Sequence, residues 1–161
     1  MTGTAVDTNV RSEILLGGPR ADQAAVRLAE VLAGGPVIVS GMVYGELLAV
    51  ASPADTMQIL QALSIDVDFT MPRAAVERAA LAWTRYLAER RWNGGRYDCP
   101  HCGAKQPHIR CDTCPAPLSG PRHVLADFLI GGPARVCASQ LLTWDRGVYH
   151  TYFADLATVH P

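Results

Sequence analysis

The amino-acid sequence predicts an α/β domain in which helices flank a central parallel sheet. Short apolar segments with strand character alternate with longer segments of helical periodicity, an order typical of parallel sheets. The chain has 161 residues, close to the commonest length of one domain. Hydrophobic residues make up 49% of it and charged residues 18%, which is enough apolar surface for a core. We therefore predict one domain over 1–161, interrupted by an insertion at 93–121.

Each predicted element has a local signal. The helical spacing of Ala24, Leu28 and Val31 predicts a helix from Arg20 to Gly34. Ser40 is placed to cap the helix after the buried segment PVIVS, and Pro72 opens a long helix. The predicted strands are 3–6, 36–40, 65–69, 140–144 and 156–160, and the predicted helices begin after Asp7 and lie at 20–34, from 41, at 53–63, 72–91 and 123–130.

Charge and hydropathy exclude several classes of protein. A net charge of −1 excludes a uniformly basic coat for nucleic acid. No apolar run approaches the roughly 18 residues that span a bilayer, and the opening MTGTAVDTNV lacks the basic start and apolar centre of a signal peptide. We expect a cytoplasmic protein with no membrane partner.

Four carboxylates stand in apolar surroundings. Asp7, Glu46 and Asp127 are each the only charged residue in an apolar segment of the chain. Asp145 follows the strand segment LLTW. Burying an isolated carboxylate is costly, so such groups are normally paired, protonated or bound to a cation. Ligands of parallel α/β sheets bind beyond the carboxyl ends of strands, where Asp7 and Asp145 lie. We predict that the four side chains face one crevice.

These acids allow two interpretations. Taken separately, Asp7 is a helix N-cap, Glu46 and Asp127 pair with arginines, and Asp145 belongs to the turn WDRG. Taken together, four neighbouring carboxylates repel one another unless a cation neutralises them. An all-oxygen set suits Mg²⁺ or Mn²⁺. The presence of all four in one α/β order favours the metal site.

The same acids lie in four blocks that resemble the PIN-domain family and, within it, the VapC-type toxins of bacterial toxin–antitoxin pairs. The blocks are VDTNV at 6–10, YGELLAV at 44–50, ADFLIGG at 126–132 and LLTWDRGVYHTYFADLATVHP at 141–161. They follow the family's order and cover nearly everything outside 93–121. The resemblance implies a PIN-like three-layer fold.

The resemblance also implies a function and a site. The implied metal ligands and catalytic residues are Asp7, Glu46, Asp127 and Asp145, and the implied polar supporting residues are Asn9, Ser40 and Thr143. The family's usual chemistry is endonucleolytic RNA cleavage, in which metal withdraws charge from a phosphate oxygen and activates a water for in-line attack. The resemblance further implies a homodimer and a neutralising antitoxin.

Two places depart from the family pattern. Gly131, Gly132 and Pro133 stand where the family helix more often continues through Ala and His, so we expect the helix after Asp127 to end early. Trp144 stands where the family commonly has a basic residue. It either stacks on an unpaired base or is an ordinary buried or exposed tryptophan.

The insertion carries a second metal motif. Two CxxC pairs with eight residues between them are formed by Cys99, Cys102, Cys111 and Cys114. Four thiolates in this arrangement predict a closed, structural Zn²⁺ site in a zinc-ribbon-like segment. Reduced thiols, disulfides or an iron centre of the same geometry are the alternatives, and His101 or His108 could replace a cysteine.

Basic charge is concentrated around this insertion. Residues 84–122 hold seven basic and three acidic side chains, a net charge of +4, and the rest of the chain carries −5. Such a segment is suited to guide an RNA backbone towards an acidic metal centre, and the alternative is an ordinary solvated helix face. The candidate RNA contacts are Arg90, Arg91, Arg96, Lys105, Arg110, Arg122 and Trp144.

Two hypotheses of function follow. The first is an endoribonuclease dependent on Mg²⁺ or Mn²⁺, the toxin of a type II toxin–antitoxin pair. The second is a non-catalytic PIN scaffold that binds nucleic acid or protein through the zinc insertion, which the presence of all four acids disfavours. A zinc-dependent hydrolase is a weaker third hypothesis, because four cysteines leave no open position on the metal.

Overall fold

Helices and strands alternate along the chain, as the sequence predicts. The computed structural model describes residues 3–92, 97–98, 105–106, 109–110, 113, 117–118 and 125–161. Its helices are α1 (Thr8–Leu15), α2 (Ala21–Gly34), α3 (Gly41–Leu47), α4 (Pro53–Ala62), α5 (Arg73–Trp92), α6 (Leu125–Cys137) and α7 (Val148–Tyr152). Its strands are β1 (Thr4–Val6), β2 (Val37–Ser40), β3 (Ile65–Asp68), β4 (Tyr97–Asp98), β5 (Lys105–Gln106), β6 (Ile109–Arg110), β7 (Pro117–Leu118), β8 (Gln140–Leu142) and β9 (Ala157–Val159).

Five of the strands form one parallel sheet in the order β3-β2-β1-β8-β9. Valines and leucines fill its centre, and Val39, Leu141 and Leu142 are fully buried beneath the flanking helices. The α/β prediction with a central parallel sheet is therefore confirmed. The register pairs Val6 of β1 with Leu142 of β8, so the carboxyl ends of these two strands are adjacent.

Helix α3 begins where the sequence predicts. The Ser40 side chain occupies its N-cap and accepts a hydrogen bond of 3.3 Å from the Val43 amide. This bond satisfies one of the free amides of the first turn. Ser40 thus joins the end of β2 directly to the helix that carries Glu46.

Helix α6 does not end early, and the expectation that it would was wrong. It runs to Cys137 with Pro133 in its interior. A Cβ atom on Gly131 would lie 2.6 Å from the Phe153 ring, and one on Gly132 would lie 2.4 Å from the Ala75 carbonyl oxygen. The two glycines allow close contact with neighbouring elements, and this packing outweighs the cost of an interior proline, about 3 kcal/mol.

Helix α7 is a short element that the sequence analysis did not predict. The Asp145 carboxylate accepts hydrogen bonds from the amides of Gly147, at 2.6 Å, and Val148, at 2.9 Å, where the helix begins. Tyr149 and Phe153 bury its inner side against the core. Packing and a side-chain cap therefore stabilise a helix too short to form alone.

Short strands mark the insertion between α5 and α6. β4 pairs antiparallel with β5, and β6 pairs antiparallel with β7, in two separate two-stranded sheets. The four cysteines of the predicted zinc site lie outside the described residues.

Candidate active site

The candidate site lies at the carboxyl ends of β1 and β8. Asp7 follows β1 and Thr143 follows β8, and the Asp7 amide donates to the Leu142 carbonyl at 3.0 Å. Glu46 lies on α3, Asp127 in the first turn of α6, and Asp145 just before α7. Four separate elements therefore deliver the predicted acids.

Asp7 is held by polar side chains from both strand ends. It is 5% exposed, and its Oδ2 accepts hydrogen bonds from Asn9 Nδ2 at 2.8 Å and Thr143 Oγ1 at 2.6 Å. Although Asp7 occupies the N-cap position of α1, its side chain makes no capping hydrogen bond. The interpretation of Asp7 as an ordinary helix cap is therefore wrong.

The surroundings of Asp7 disfavour its charge. Burial raises the pKa of its carboxyl to about 6, and the carboxylates of Asp127 and Asp145 also raise it, against the hydrogen bonds from Thr143 and the Thr8 backbone. Three of the four predicted acids thus share one electrostatic environment. A divalent cation at this point would relieve the repulsion between them.

Asn9 and Thr143 connect the two strand ends. Asn9 Nδ2 donates to Thr143 Oγ1 at 3.2 Å, and Asn9 Oδ1 accepts from the Trp144 amide at 3.0 Å. Thr143 Oγ1 also accepts from the Asp145 amide at 2.9 Å. The two residues therefore orient Asp7 and the backbone before Asp145 together. Ser40 acts differently, as the cap of α3, the helix that carries Glu46.

The remaining acids are engaged by the protein itself. Glu46 accepts a hydrogen bond from the Thr8 hydroxyl, and Asp145 binds the first amides of α7. Within the described part of the chain, no three His, Cys, Asp or Glu side chains are grouped closely enough to hold a metal ion. The donor set is nevertheless all oxygen, which fits Mg²⁺ or Mn²⁺. Asp127 and Asp145 lie near enough to Asp7 for their charges to raise its pKa, and Glu46 accepts a hydrogen bond from Thr8, the neighbour of Asp7.

Tyr149 is a site residue that the sequence analysis missed. It is 1% exposed, and it lies near enough to Asp7 for the charge of that carboxylate to act on its hydroxyl. Burial raises its pKa well above 10, and the charges of Asp7, Asp127 and Asp145 raise it further. The signal in the sequence is the helical spacing of Tyr149 and Phe153 directly after Asp145, which predicts a buried face on a short helix.

Trp144 lies beside the site with one face covered. It is half-buried, and the Arg20 guanidinium lies 4.3 Å from the centre of its ring. Arg20 is also paired with Glu13 at 3.0 Å. Of the two ring faces, one is thus occupied by a cation from the protein.

The other candidate contacts to RNA surround the insertion. Arg90 and Arg91 belong to the end of α5, Lys105 to β5 and Arg110 to β6, and the structure describes only their backbone. Arg96 and Arg122 lie outside the described residues.

Comparison with known proteins finds similarity at the level of the fold. No family model matches the sequence, and no curated protein does. A solved structure of VapBC2 from Rickettsia felis, bound to a DNA fragment from its promoter, matches 99% of this chain and 99% of its own with a TM-score of 0.55 and 13% identity. A structure of FitAcB from Neisseria gonorrhoeae matches 96% of this chain and 95% of its own, with a TM-score of 0.48 and 19% identity. The fold is PIN-like.

Within the ranges that the structure describes, no helix is long and apolar enough to cross a membrane.

Proposed function

We propose that this protein is a divalent-metal-dependent endoribonuclease and the toxin of a type II toxin–antitoxin pair. One observation carries the proposal: Asp7 is a buried carboxylate at the carboxyl edge of a parallel sheet, and the charges of two further carboxylates act on it. Structural ion pairs would place a cation beside such a group, whereas the strongest influences on Asp7 are burial, hydrogen-bond donors and like charges. An acidic cluster of this kind is suited to bind a divalent cation.

The residues of the site have separate tasks in this proposal. The metal would be held by Asp7, Glu46, Asp127 and Asp145. When bound, Mg²⁺ or Mn²⁺ supplies Lewis acidity for a phosphodiester and its attacking water. Asn9 and Thr143 orient Asp7, and Ser40 fixes the start of the helix that carries Glu46.

RNA, an antitoxin and a second copy of the chain are the proposed partners. The basic segment 84–122 would attract the RNA backbone that the acidic centre repels. The similarity of fold to a VapBC2 structure supports the assignment as a toxin. The protein would act in the cytoplasm.

The experiment is RNA cleavage by the purified protein with and without added Mn²⁺ or Mg²⁺. Asp7→Asn and Asp127→Asn should each abolish metal-dependent cleavage, because each removes a ligand charge from the site. Asp155→Asn is the matched control, since it makes the same change on an exposed carboxylate outside the site. Cleavage by Asp7→Asn at the wild-type rate would refute the proposal.

We also propose that the insertion binds one structural Zn²⁺ through Cys99, Cys102, Cys111 and Cys114. The described strand pairs support this: Asp98 pairs with Lys105, and Arg110 pairs with Pro117. Each pair thereby closes a six-residue connection that begins with a CxxC motif. Two equivalent hairpins with cysteines at the same offset are suited to share one tetrahedral ion.

Elemental analysis tests the zinc site. We expect one zinc per chain in the purified protein, and Cys99→Ser should release it while Cys137→Ser should not. Iron in place of zinc, or four thiols oxidised to disulfides, would contradict the proposal.

A second candidate function is a binding module that uses the same scaffold without catalysis. It is favoured by the hydrogen bonds that Glu46 and Asp145 already make within the protein. Such a module would bind RNA or a protein without Mg²⁺ or Mn²⁺ and yield no cleavage product.

A further inference from the structure

The peptide bond between Thr143 and Trp144 lies just beyond the end of β8. The parallel pairing of β8 with β9 reaches Leu142 and Val159, and the Thr143 amide donates to the Val159 carbonyl at 3.0 Å. The next group along β8 is the Thr143 carbonyl, which also needs a donor if it is not to lose a hydrogen bond on folding.

A proline prevents the backbone of β9 from supplying that donor. Because the Thr143 amide binds Val159, the regular pattern of a parallel pair would place the amide of residue 161 on the Thr143 carbonyl. Residue 161 is Pro161, which has no N–H group. His160 Nδ1 lies 2.8 Å from the Thr143 carbonyl oxygen instead. Since a carbonyl only accepts, Nδ1 is the donor, and the imidazole replaces the missing backbone amide.

The N–H of the same peptide is also held by a side chain. The Trp144 amide donates to Asn9 Oδ1 at 3.0 Å. Asn9 follows β1, and His160 follows β9, and these two strands flank β8 in the sheet. The peptide between Thr143 and Trp144 is therefore held from both sides, by one side chain at its N–H and by another at its carbonyl.

The orientation of this peptide affects the candidate active site. Thr143 Oγ1 donates to Asp7 at 2.6 Å and accepts from the Asp145 amide at 2.9 Å. A rotation of the peptide after Thr143 would move its hydroxyl relative to Asp7 and would move the Asp145 amide away from it. His160 thus acts on the acids through Thr143.

We propose that His160 is a positioning residue of the candidate active site, which holds the Thr143 carbonyl and so keeps the Thr143 hydroxyl between Asp7 and the Asp145 amide. The role in catalysis rests on the proposed function. The role requires a hydrogen-bond donor at the position of Nδ1 and no charge on the ring.

Three variants isolate that donor. His160→Asn keeps an N–H group at the same number of bonds from the backbone as Nδ1. His160→Leu has nearly the shape of asparagine but no donor. His150→Leu is the matched control, because it makes the same change on an exposed histidine of α7.

The first test is amide hydrogen exchange of the full chain without added metal, followed by nuclear magnetic resonance. His160→Leu should speed exchange of the Trp144 and Asp145 amides by roughly 3- to 10-fold, the factor that corresponds to loss of one hydrogen bond. Amides in the middle of β8 should exchange as in the wild type, which shows that the sheet is intact. His160→Asn and His150→Leu should both resemble the wild type.

The second test is the kinetics of RNA cleavage with Mn²⁺ or Mg²⁺. His160→Leu should lower kcat by roughly 10-fold and leave KM for RNA unchanged, because the variant disturbs the orientation of the site and keeps its contacts with RNA. His160→Asn should restore kcat.

The outcomes separate this inference from the proposed function. Wild-type exchange of the Trp144 and Asp145 amides in His160→Leu would overturn the inference, and so would exchange in His160→Asn as fast as in His160→Leu. Faster exchange with an unchanged kcat would refute the positioning role and leave the nuclease supported. Faster exchange of both amides, in a protein that cuts no RNA with metal bound, would support the hold of His160 on Thr143 and refute the nuclease.

Discussion

Asp7 and Asp155 are two carboxylates with opposite surroundings. Asp155 lies on the surface between Arg78, at 2.7 Å, and Arg135, at 2.6 Å, and these hydrogen bonds lower its pKa to about 2. Asp7 is buried near Asp127 and Asp145, and its pKa is raised to about 6. The same chemical group is stabilised as an anion in one place and destabilised in the other.

The two carboxylates differ in what their charge does: one supports the packing of the fold, and the other has the surroundings typical of a binding site. The Asp155 cluster joins α5, α6 and the chain after α7, so its charges support the packing of helices. Burial and the charges of Asp127 and Asp145 disfavour the charged state of Asp7, which opposes folding of the metal-free protein. In a cation-binding site, the bound cation offsets this cost in folding free energy.

The largest expected effect on stability comes from Asp7→Asn. The folded pKa of Asp7 is about 6, above the ordinary 3.8, so its ionisation destabilises the native state once the pH exceeds the lower value. Without Mg²⁺ or Mn²⁺, the variant should be more stable than the wild type by up to about 3 kcal/mol above pH 6. Urea unfolding from pH 4 to 8 measures this difference, which should vanish as the pH falls to 4. A variant less stable than the wild type at pH 7.5 would contradict the description of Asp7 as a carboxylate whose charge destabilises the native state.

Arg11 extends the comparison to a buried cation. It is 1% exposed on α1, and its two terminal nitrogens have no hydrogen-bond partner in the described structure. Burial lowers its pKa to about 10. Arg11→Met keeps the length of the side chain and removes the charge, so it should stabilise the protein by about 2 kcal/mol. Chemical denaturation measures the change in the free energy of unfolding. A decrease of more than about 1 kcal/mol in the variant would show that Arg11 has a favourable partner.

The smallest expected effect is that of Asp155→Asn. Its folded pKa is depressed to about 2, so its contribution to stability is present above pH 4 and is lost as the pH falls towards 2. Because the side chain is 49% exposed, solvent screens its ion pairs, and the loss at pH 7 should be at most about 1 kcal/mol. Thermal unfolding at pH 7 and pH 2 measures it. An effect as large as that of Asp7→Asn would remove the distinction between the two carboxylates.

Much of the fold follows from local signals in the sequence. Apolar spacing, proline positions and the Ser40 cap predicted the strands of the central sheet and the helices α2 to α5. The persistence of α6 beyond Gly131 and Pro133 could not be predicted, because it depends on contacts with Ala75 and Phe153 that only the folded chain brings together. Helix α7 was missed because its aromatic packing is tertiary, although the hydrogen bonds of Asp145 at its start are local.

The sequence indicated the residues of the candidate site, but it did not indicate their contacts with one another. The strand ends indicated Asp7 and Asp145, and lone carboxylates in apolar segments indicated Glu46 and Asp127. The hydrogen bonds of Thr143 with Asn9 and with Asp7 depend on the register of β1 against β8. Strand register across a parallel sheet is a long-range property, so a local pattern does not contain it.

The pairing of β1 with β8 also has a consequence for synthesis of the chain. Asp7 and Thr143 are 136 positions apart, yet they share a hydrogen bond. A ribosome adding about 5–20 residues per second releases β1 several seconds before it completes β8. During that interval the nascent chain lacks Thr143, Asp145 and Tyr149 and contains no assembled acidic centre. The nuclease that we propose would therefore be inactive while it is being translated, and its activity would begin only when the last part of its sheet is in place.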